Sequence, residues 1–337
     1  MTIKSNLTID DIARELGVSK TTVSRAISGK GRISAATREK VQAYIELHNY
    51  RPSAAAKSLA ESRTYNLALV LPREFIQLDI HYYRRSMSVI CDEAFFHDYN
   101  VMVCLSTDQD HTALVRTLDY RKVDGVILTR TVENDDLLEI LTGRGIPFAT
   151  LGSLPARNQG AALVEADHDQ AGGCREFIRL FLEKSPEKVA LLGNDLNYVV
   201  NQSRMSGFRN ACMDLNRSME QSAVRMGIND QASCTAAVEE LLRSGFRRFV
   251  CMDEDVAIRT WQVLKRNSLS VPADAELISL SDSDLLARAD IAISALNFDP
   301  AELARSACRE LLNALCDKGY DPKPRLGYEI NLRNSIR

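Results

Sequence analysis

Two patterns of apolar residues divide this chain. Through the first fifty residues they recur at three- and four-residue intervals, the spacing of amphipathic helices. From Asn66 onward they come in short unbroken runs, the pattern of strands buried on both faces. In TIDDIARELGVSKTTVSRAIS, residues 8 to 28, Ile12, Ala13 and Leu16 make one helical stripe. Thr8 is placed to cap that helix, with Asp10 and Asp11 in the first turn, where the helix dipole favours negative charge. Gly17 ends it, because Gly tolerates the left-handed conformation just past a helix C-terminus. Val18 fills the corner, and Ser19 caps a second helix. There Val23 and Ile27, four apart, face inward, and Lys20, Thr21 and Arg25 face outward. Residues 35 to 48 predict a third helix, capped by Ser34, with Val41 and Ile45 inward and Arg38 and Lys40 on the solvated side. Pro52 ends the unit. The layout is that of a helix-turn-helix, whose second helix sets its N-terminal residues against base edges in the major groove.

SAAAKSLAES (53–62) suits a short helix with too little apolar surface to be stable alone. Beyond it, strands and helices alternate. Buried-strand candidates are 66–72, 100–106, 124–129, 147–152, 162–167, 188–193, 248–253, 276–281 and 292–297. Helical stretches between them include 83–97, 170–184, 231–244, 255–267 and 300–317. Such alternation predicts parallel sheets covered on both faces, with ligands bound in crevices outside the strand carboxyl ends.

The 337 residues suffice for two or three domains, and 45% hydrophobic with 26% charged residues is ordinary for a globular chain. The net charge of −3 says little, but its distribution does. Residues 1–63 hold 11 Lys+Arg against 6 Asp+Glu, leaving 31 basic and 39 acidic residues in the remainder. A basic head on an acidic body fits contact with DNA. Eight scattered cysteines without a C-x-x-C read as reduced, mostly buried thiols. No apolar run reaches membrane-spanning length and no signal peptide opens the chain, so a cytoplasmic location is expected.

The stretch of residues 8 to 28, with TREKV and NYRPSAAAKSL after it, resembles the DNA-binding headpiece of the LacI/GalR family of bacterial transcription regulators. The resemblance implies a fold: an N-terminal all-α helix-turn-helix headpiece with a hinge helix, then a two-lobed α/β core like a periplasmic binding protein, built of doubly wound parallel sheets. The expected division is 1–52 for the headpiece, 53–63 for the hinge helix and linker, and 64–337 for the effector-binding and dimerisation core. Within that core, the N-lobe covers about 64–165 and 297–325, and the C-lobe about 166–296 and 326–337. The resemblance implies DNA contacts from Thr8, Ser19, Lys20, Thr21, Thr22, Ser24, Arg25, Asn49, Tyr50, Ala56 and Leu59. Leu59 matches a leucine that wedges between central base pairs from the minor groove, unstacking a step at a cost of about a few kcal/mol.

For the cleft between lobes, R-x-x-G-F at 204–208 matches an arginine that grips ligand oxygens through its fork of donors. Asp253 ends a strand and is either a ligand acceptor or a cap for the next helix. Where the family usually has two aspartates, this chain has Ser281 and Asp282, which weakens transfer of any particular sugar. Tyr82 and Tyr83 match two aromatics that stack on a ligand, and Arg84 and Arg85 are expected to face solvent. The expected effector set is therefore Tyr82, Tyr83, Arg204, Asp253, Ser281 and Asp282.

The implied function is a homodimeric, sequence-specific repressor on a pseudo-palindromic double-stranded operator, controlled by a small metabolite, expected to be a sugar or sugar derivative. No membrane, metal, cofactor or catalytic residue is expected. NLRNSIR, without leucine heptads, predicts that the tetramer-forming helix of some relatives is absent. Alternatives are a constitutive DNA binder without ligand and a regulator responding to a non-sugar anionic metabolite. An enzyme is disfavoured: G-x-S-x-G, the phosphate-binding G-x-x-x-x-G-K-[ST] and H-E-x-x-H are all absent.

Overall fold

Thr8 and Asp11 close the first helix reciprocally. The Thr8 hydroxyl accepts from the Asp11 amide, and the Asp11 carboxylate accepts from the Thr8 amide, a complete capping box. In this computed structural model the described residues are all but 1–6, 29–30, 49, 51–57, 59–60, 74–79, 135 and 218–221. They form two units, Met1–Thr64 and Tyr65–Arg337.

The first unit holds α1 (Ile9–Leu16), α2 (Lys20–Ser28) and α3 (Ala35–Leu47). Gly17 takes the left-handed conformation at φ 64°, and its N–H returns to Ala13 and Arg14 carbonyls. Ile12, Ala13, Val23, Ala26 and Val41 form the buried centre, with Val18, Ile27, Ile45 and Tyr50 packed around it. Lys40 is exposed, yet its ammonium donates to the Leu16 carbonyl at 3.2 Å, satisfying a C-terminal group of α1 that lacks a helical partner.

The second unit is two sheets of six strands among the described residues. One runs β11 (Arg325–Leu326), β5 (Val164–His168), β4 (Phe148–Leu151), β3 (Gly125–Leu128), β1 (Asn66–Pro72), β2 (Asn100–Ser106). The other runs β12 (Glu329–Asn331), β10 (Ser294–Asn297), β9 (Glu276–Ser279), β8 (Arg248–Cys251), β6 (Val189–Leu192), β7 (Ser222–Arg225). All pairings are parallel except β10 with β12. The unbroken apolar runs follow from burial on two faces. Along β1, Leu67, Leu69 and Leu71 join one core with α4 (Ile80–Phe96) and α12 (Pro300–Leu315). Ala68 and Val70 join another with α5 (Thr112–Asp119) and α6 (Asp136–Gly143). The second sheet repeats this between α7 (Gln170–Glu183) with α8 (Val199–Asp214), and α9 (Gln231–Arg243) with α10 (Glu254–Arg266) and the short α11 (Asp284–Ala287). The short β7, β11 and β12 carry too few apolar residues to show in the sequence pattern.

The chain passes between the lobes three times: after β5, between β10 and α12, and between β11 and β12. Six of the eight cysteines are buried and none is bonded to another. Among the described residues, no helix is long and apolar enough to cross a membrane. Asn49, Ala56, Leu59 and most of the expected hinge helix, residues 53–57 and 59–60, lie outside the described residues.

Arg248 and Glu276 are register partners on β8 and β9 and are both buried. The guanidinium donates to Glu276 at 2.7 Å, to the Ser185 carbonyl at 3.1 Å and to the Phe181 carbonyl, and lies 3.9 Å from the Phe181 ring centroid. Removing one partner of such a pair leaves a buried charge. Arg248→Ala is expected to lower unfolding stability by about 3–5 kcal/mol. Arg175→Ala removes a bidentate pair with Asp214 that is half exposed, at an expected cost of about 1 kcal/mol or less. Urea unfolding followed by the fluorescence of Trp261 measures both, and equal losses would contradict the contrast.

Candidate functional site

In the first unit, α2 turns a face without any carboxylate outward. Lys20, Thr21, Ser24 and Arg25 are exposed on it, and Thr22 is half-buried. The Ser19 hydroxyl is taken up in capping, accepting from the Thr22 amide at 3.1 Å. Lys20 pairs with Asp10 of α1. The stem of Arg25 lies along Gly31, whose φ is 90°. A Cβ there would fall 3.0 Å from Arg25 Cδ, so glycine both permits the turn and leaves the stem its place. Thr8 is occupied by its capping box, whose hydrogen bonds hold the Asp11 carboxyl below its usual range. Tyr50 is half-buried against the headpiece core, and burial raises its phenol pKa. The free face thus offers hydroxyls and a guanidinium, groups that read base edges and phosphates.

In the second unit a cleft of about 1160 Å³, its open mouth included, is lined from both sheets. Most of its polar residues follow a strand's carboxyl end: Thr129 and Arg130 after β3, His168 at the end of β5, Asn194 after β6, Asp253 after β8, Ser281 after β9. Tyr82 and Tyr83 reach it from α4, their rings edge to face at 5.1 Å. The Tyr82 hydroxyl donates to the Thr129 carbonyl at 3.1 Å.

Arg204 projects from α8 into the cleft. One turn on, Gly207 lets α8 touch the backbone of α7: a Cβ there would lie 2.6 Å from Cys174 Cβ and 2.9 Å from the Ala171 carbonyl. The R-x-x-G-F spacing therefore seats the helix and aims the arginine together. A single weak bond at 3.4 Å joins Arg204 Nη1 to Asn201, and Nε is buried without a hydrogen-bond partner. Asp253 fills both roles left open by the sequence. Its Oδ1 caps α10, accepting from the Val256 amide at 2.8 Å. Its Oδ2 accepts from Asn194 at 3.3 Å, and the residue lines the cleft. Ser281 lines it too.

Asp282 does not join the cleft wall, contrary to expectation. Its oxygens accept from both Arg333 Nη atoms at 2.7 and 2.6 Å, from Asn331 at 2.8 Å and from the Ser283 amide at 2.8 Å. With its lone pairs filled, it ties the chain after β12 to the loop after β9. Arg84 and Arg85 are exposed and off the cleft, with Arg85 3.6 Å from Asp299.

His168, Gln170, Arg130 and Tyr198 line the cleft and escaped the sequence reading. For His168 and Gln170 the signal was D-H-D-Q at a strand carboxyl end, where a crevice is expected. His168 Nδ1 bonds the Gly327 carbonyl at 2.7 Å, so Nδ1 carries the proton, and the ring packs on Phe298 at 5.3 Å. Its Nε2 and the Gln170 Oε1 are buried without partners. Neighbouring Asp167 accepts from Ser153, from Arg325 at 3.1 Å and from the His168 amide at 2.8 Å. Burial raises its pKa against the pull of the Ser153 bond and the Arg325 charge. Among the described residues, no His, Cys, Asp and Glu side chains converge as metal ligands would.

Residues 8–53 match the family described as bacterial regulatory proteins, lacI family, and residues 178–336 match the periplasmic binding protein-like domain. The chain is similar to the HTH-type transcriptional regulator RafR of Escherichia coli, 29% identical over 208 residues, which cover 61% of this chain and 60% of RafR. Its fold is similar to that of the lac repressor dimer bound to operator and the anti-inducer ONPF, with TM-score 0.79 at 20% identity over 98% of this chain and 99% of that one. It is likewise similar to the complex of the transcriptional regulator CelR with cellobiose, with TM-score 0.70 at 22% identity over 98% and 99%.

The Gly327 contact fixes the neutral imidazole of His168 as the Nδ1–H tautomer, with Nε2 an acceptor in the cleft wall. Long-range proton–nitrogen correlation on ¹⁵N-histidine protein is expected to show this tautomer, with His168→Gln assigning the signal. A proton on Nε2 in the neutral ring would contradict it.

Proposed function

We propose that this chain, a DNA-binding transcriptional regulator whose residues 8–53 match the lacI family of bacterial regulatory proteins, is a homodimeric repressor whose operator affinity is set by a sugar or sugar derivative held in the core cleft. One observation carries the cleft reading. Arg204 Nε, His168 Nε2 and Gln170 Oε1, all from residues that line the cleft, are buried without protein partners. A buried polar atom left unpaired costs about 1–3 kcal/mol, so the cleft complements a ligand bearing both donors and acceptors. Tyr82 and Phe298 supply apolar surface beside it, and a polyhydroxylated ring presents that combination. The cellobiose complex of CelR and the operator-bound dimer of the lac repressor support the same reading.

On this reading Tyr82, Tyr83, Arg204, Asp253 and Ser281 contact effector together with His168 and Gln170. Thr21, Ser24 and Arg25 of α2 read the operator in the major groove, and Lys20 and Thr22 support them. Two headpieces of a dimer address two half-sites, so the operator is pseudo-palindromic.

Arg25 suits guanine O6 and N7, because its fork matches that edge. On an operator isolated by selection from random duplexes, Arg25→Ala is expected to cost about 1–3 kcal/mol and to relax preference at one position of each half-site. Equal losses on operator and random DNA would reduce Arg25 to a phosphate contact.

A melting screen against sugars and sugar phosphates identifies the effector, since a ligand at about a hundred times its Kd adds roughly 2.7 kcal/mol. Calorimetry is then expected to show Arg204→Ala weakening that effector at least about tenfold, about 1.4 kcal/mol. Effector-free operator affinity should stay within about threefold. Unchanged effector affinity removes Arg204 from the site, and a screen without any stabilising compound removes the sugar reading. Operator binding strengthened rather than released by the effector would replace induction with co-repression.

A further inference from the structure

The lobes of the core also meet away from the three chain crossovers. The loop after β3 and the loop before α8 run antiparallel for a few residues, with Val132 opposite Tyr198. The Glu133 amide donates to the Asn197 carbonyl at 2.8 Å, and the Val199 amide donates to the Thr131 carbonyl at 3.2 Å. Side chains reinforce the pairing. Gln202 Nε2 donates to Glu133 Oε2 at 3.2 Å. Arg130 Nη1 donates to the Tyr198 hydroxyl at 3.0 Å, and its guanidinium carbon lies 5.2 Å from that ring's centroid. Asp108 anchors the other end of the same guanidinium at 2.7 Å. Thr131, with Val132 buried beside it, is tied to its own lobe through the Ser153 carbonyl at 2.7 Å.

We propose that these two loops are a clasp that sets the balance between closed and open forms of the core, with Glu133, Gln202 and Asp108 acting as positioning residues outside the ligand wall. The reasoning is geometric. Crossovers are covalent and persist in every conformation, so they cannot hold the lobes shut. The clasp is a polar contact away from those crossovers that separating the lobes must break, because its two segments belong to different sheets' loops and border the cleft through Arg130, Thr131, Tyr198 and Val199. A two-residue ladder is short enough to open without unfolding either lobe. Its strength then enters the affinity of any cleft ligand through the population of the closed form. That last consequence rests on the cleft reading; the opening itself does not.

Hydrogen exchange of the full-length protein, with no ligand added, tests the clasp. In the wild type the Glu133 and Val199 amides should exchange more slowly than unbonded loop amides. Glu133→Pro removes one ladder donor and the Gln202 acceptor together, and should speed exchange at Val199 at least about tenfold while β1 and β8 amides stay unchanged. Asp108→Ala frees the far end of Arg130 and should act in the same direction. If the proline variant fails to fold, its β1 and β8 amides reveal it and Asp108→Ala carries the test. A Val199 amide that exchanges at the free-loop rate in the wild type overturns the proposal. So does an unchanged rate in a folded variant.

Discussion

Parallel strands joined by helices must all end on the same side of their sheet, and that constraint places the cleft of the core. β3 and β5 of one sheet and β6, β8 and β9 of the other deliver their following residues into one cleft. The strands themselves are mostly apolar on both faces, and the loops after their carboxyl ends are where polar side chains gather. The same constraint explains why Asp253 both caps a helix and lines the cleft. A helix that follows a parallel strand begins at the strand's carboxyl end, so a cap there borders the crevice by position.

Two arginines show how burial separates structure from function. Arg248 is fully buried, and its donors go to Glu276 and two carbonyls, with an aromatic face against the guanidinium. Nothing is left for a ligand. Arg204 is only half-buried, bonds one neighbour weakly and keeps Nε without a partner. The first stabilises the lobe; the second leaves an energetic deficit that a ligand's oxygen can remove. Asp282 and Asp253 divide in the same way: four donors saturate Asp282 away from the cleft, whereas Asp253 keeps its place in the wall after capping its helix.

His168 belongs to both descriptions. It ends β5 at the first crossover, bonds Gly327 at the third and packs on Phe298 at the second. Phe298 in turn meets Tyr328, whose hydroxyl is bonded to Glu176 and whose pKa is pushed up to about 12, chiefly by that bond. His168 therefore joins the cleft wall to all three connections between the lobes.

The sequence by itself determined the local structure. Caps at Thr8, Ser34 and Asp253, the stop at Gly17, the helical stripes of the headpiece and the nine apolar strand runs are all near-neighbour signals, and each formed within a few residues of its expected place. Arg204 was legible because the glycine three residues on, which lets two helices touch, is part of the same short motif. What the tertiary structure decided was every pairing between residues far apart in the chain. Whether an aspartate after a strand faces the cleft or an arginine fifty-one residues away, as Asp282 faces Arg333, has no local signature. Nor do the contact of Lys40 with α1, the tautomer of His168 set by a carbonyl 159 residues on, or the loops that meet at Val132 and Tyr198. Hydrophobic period reports which face of an element is buried; only packing fixes which polar group the ends of those elements meet.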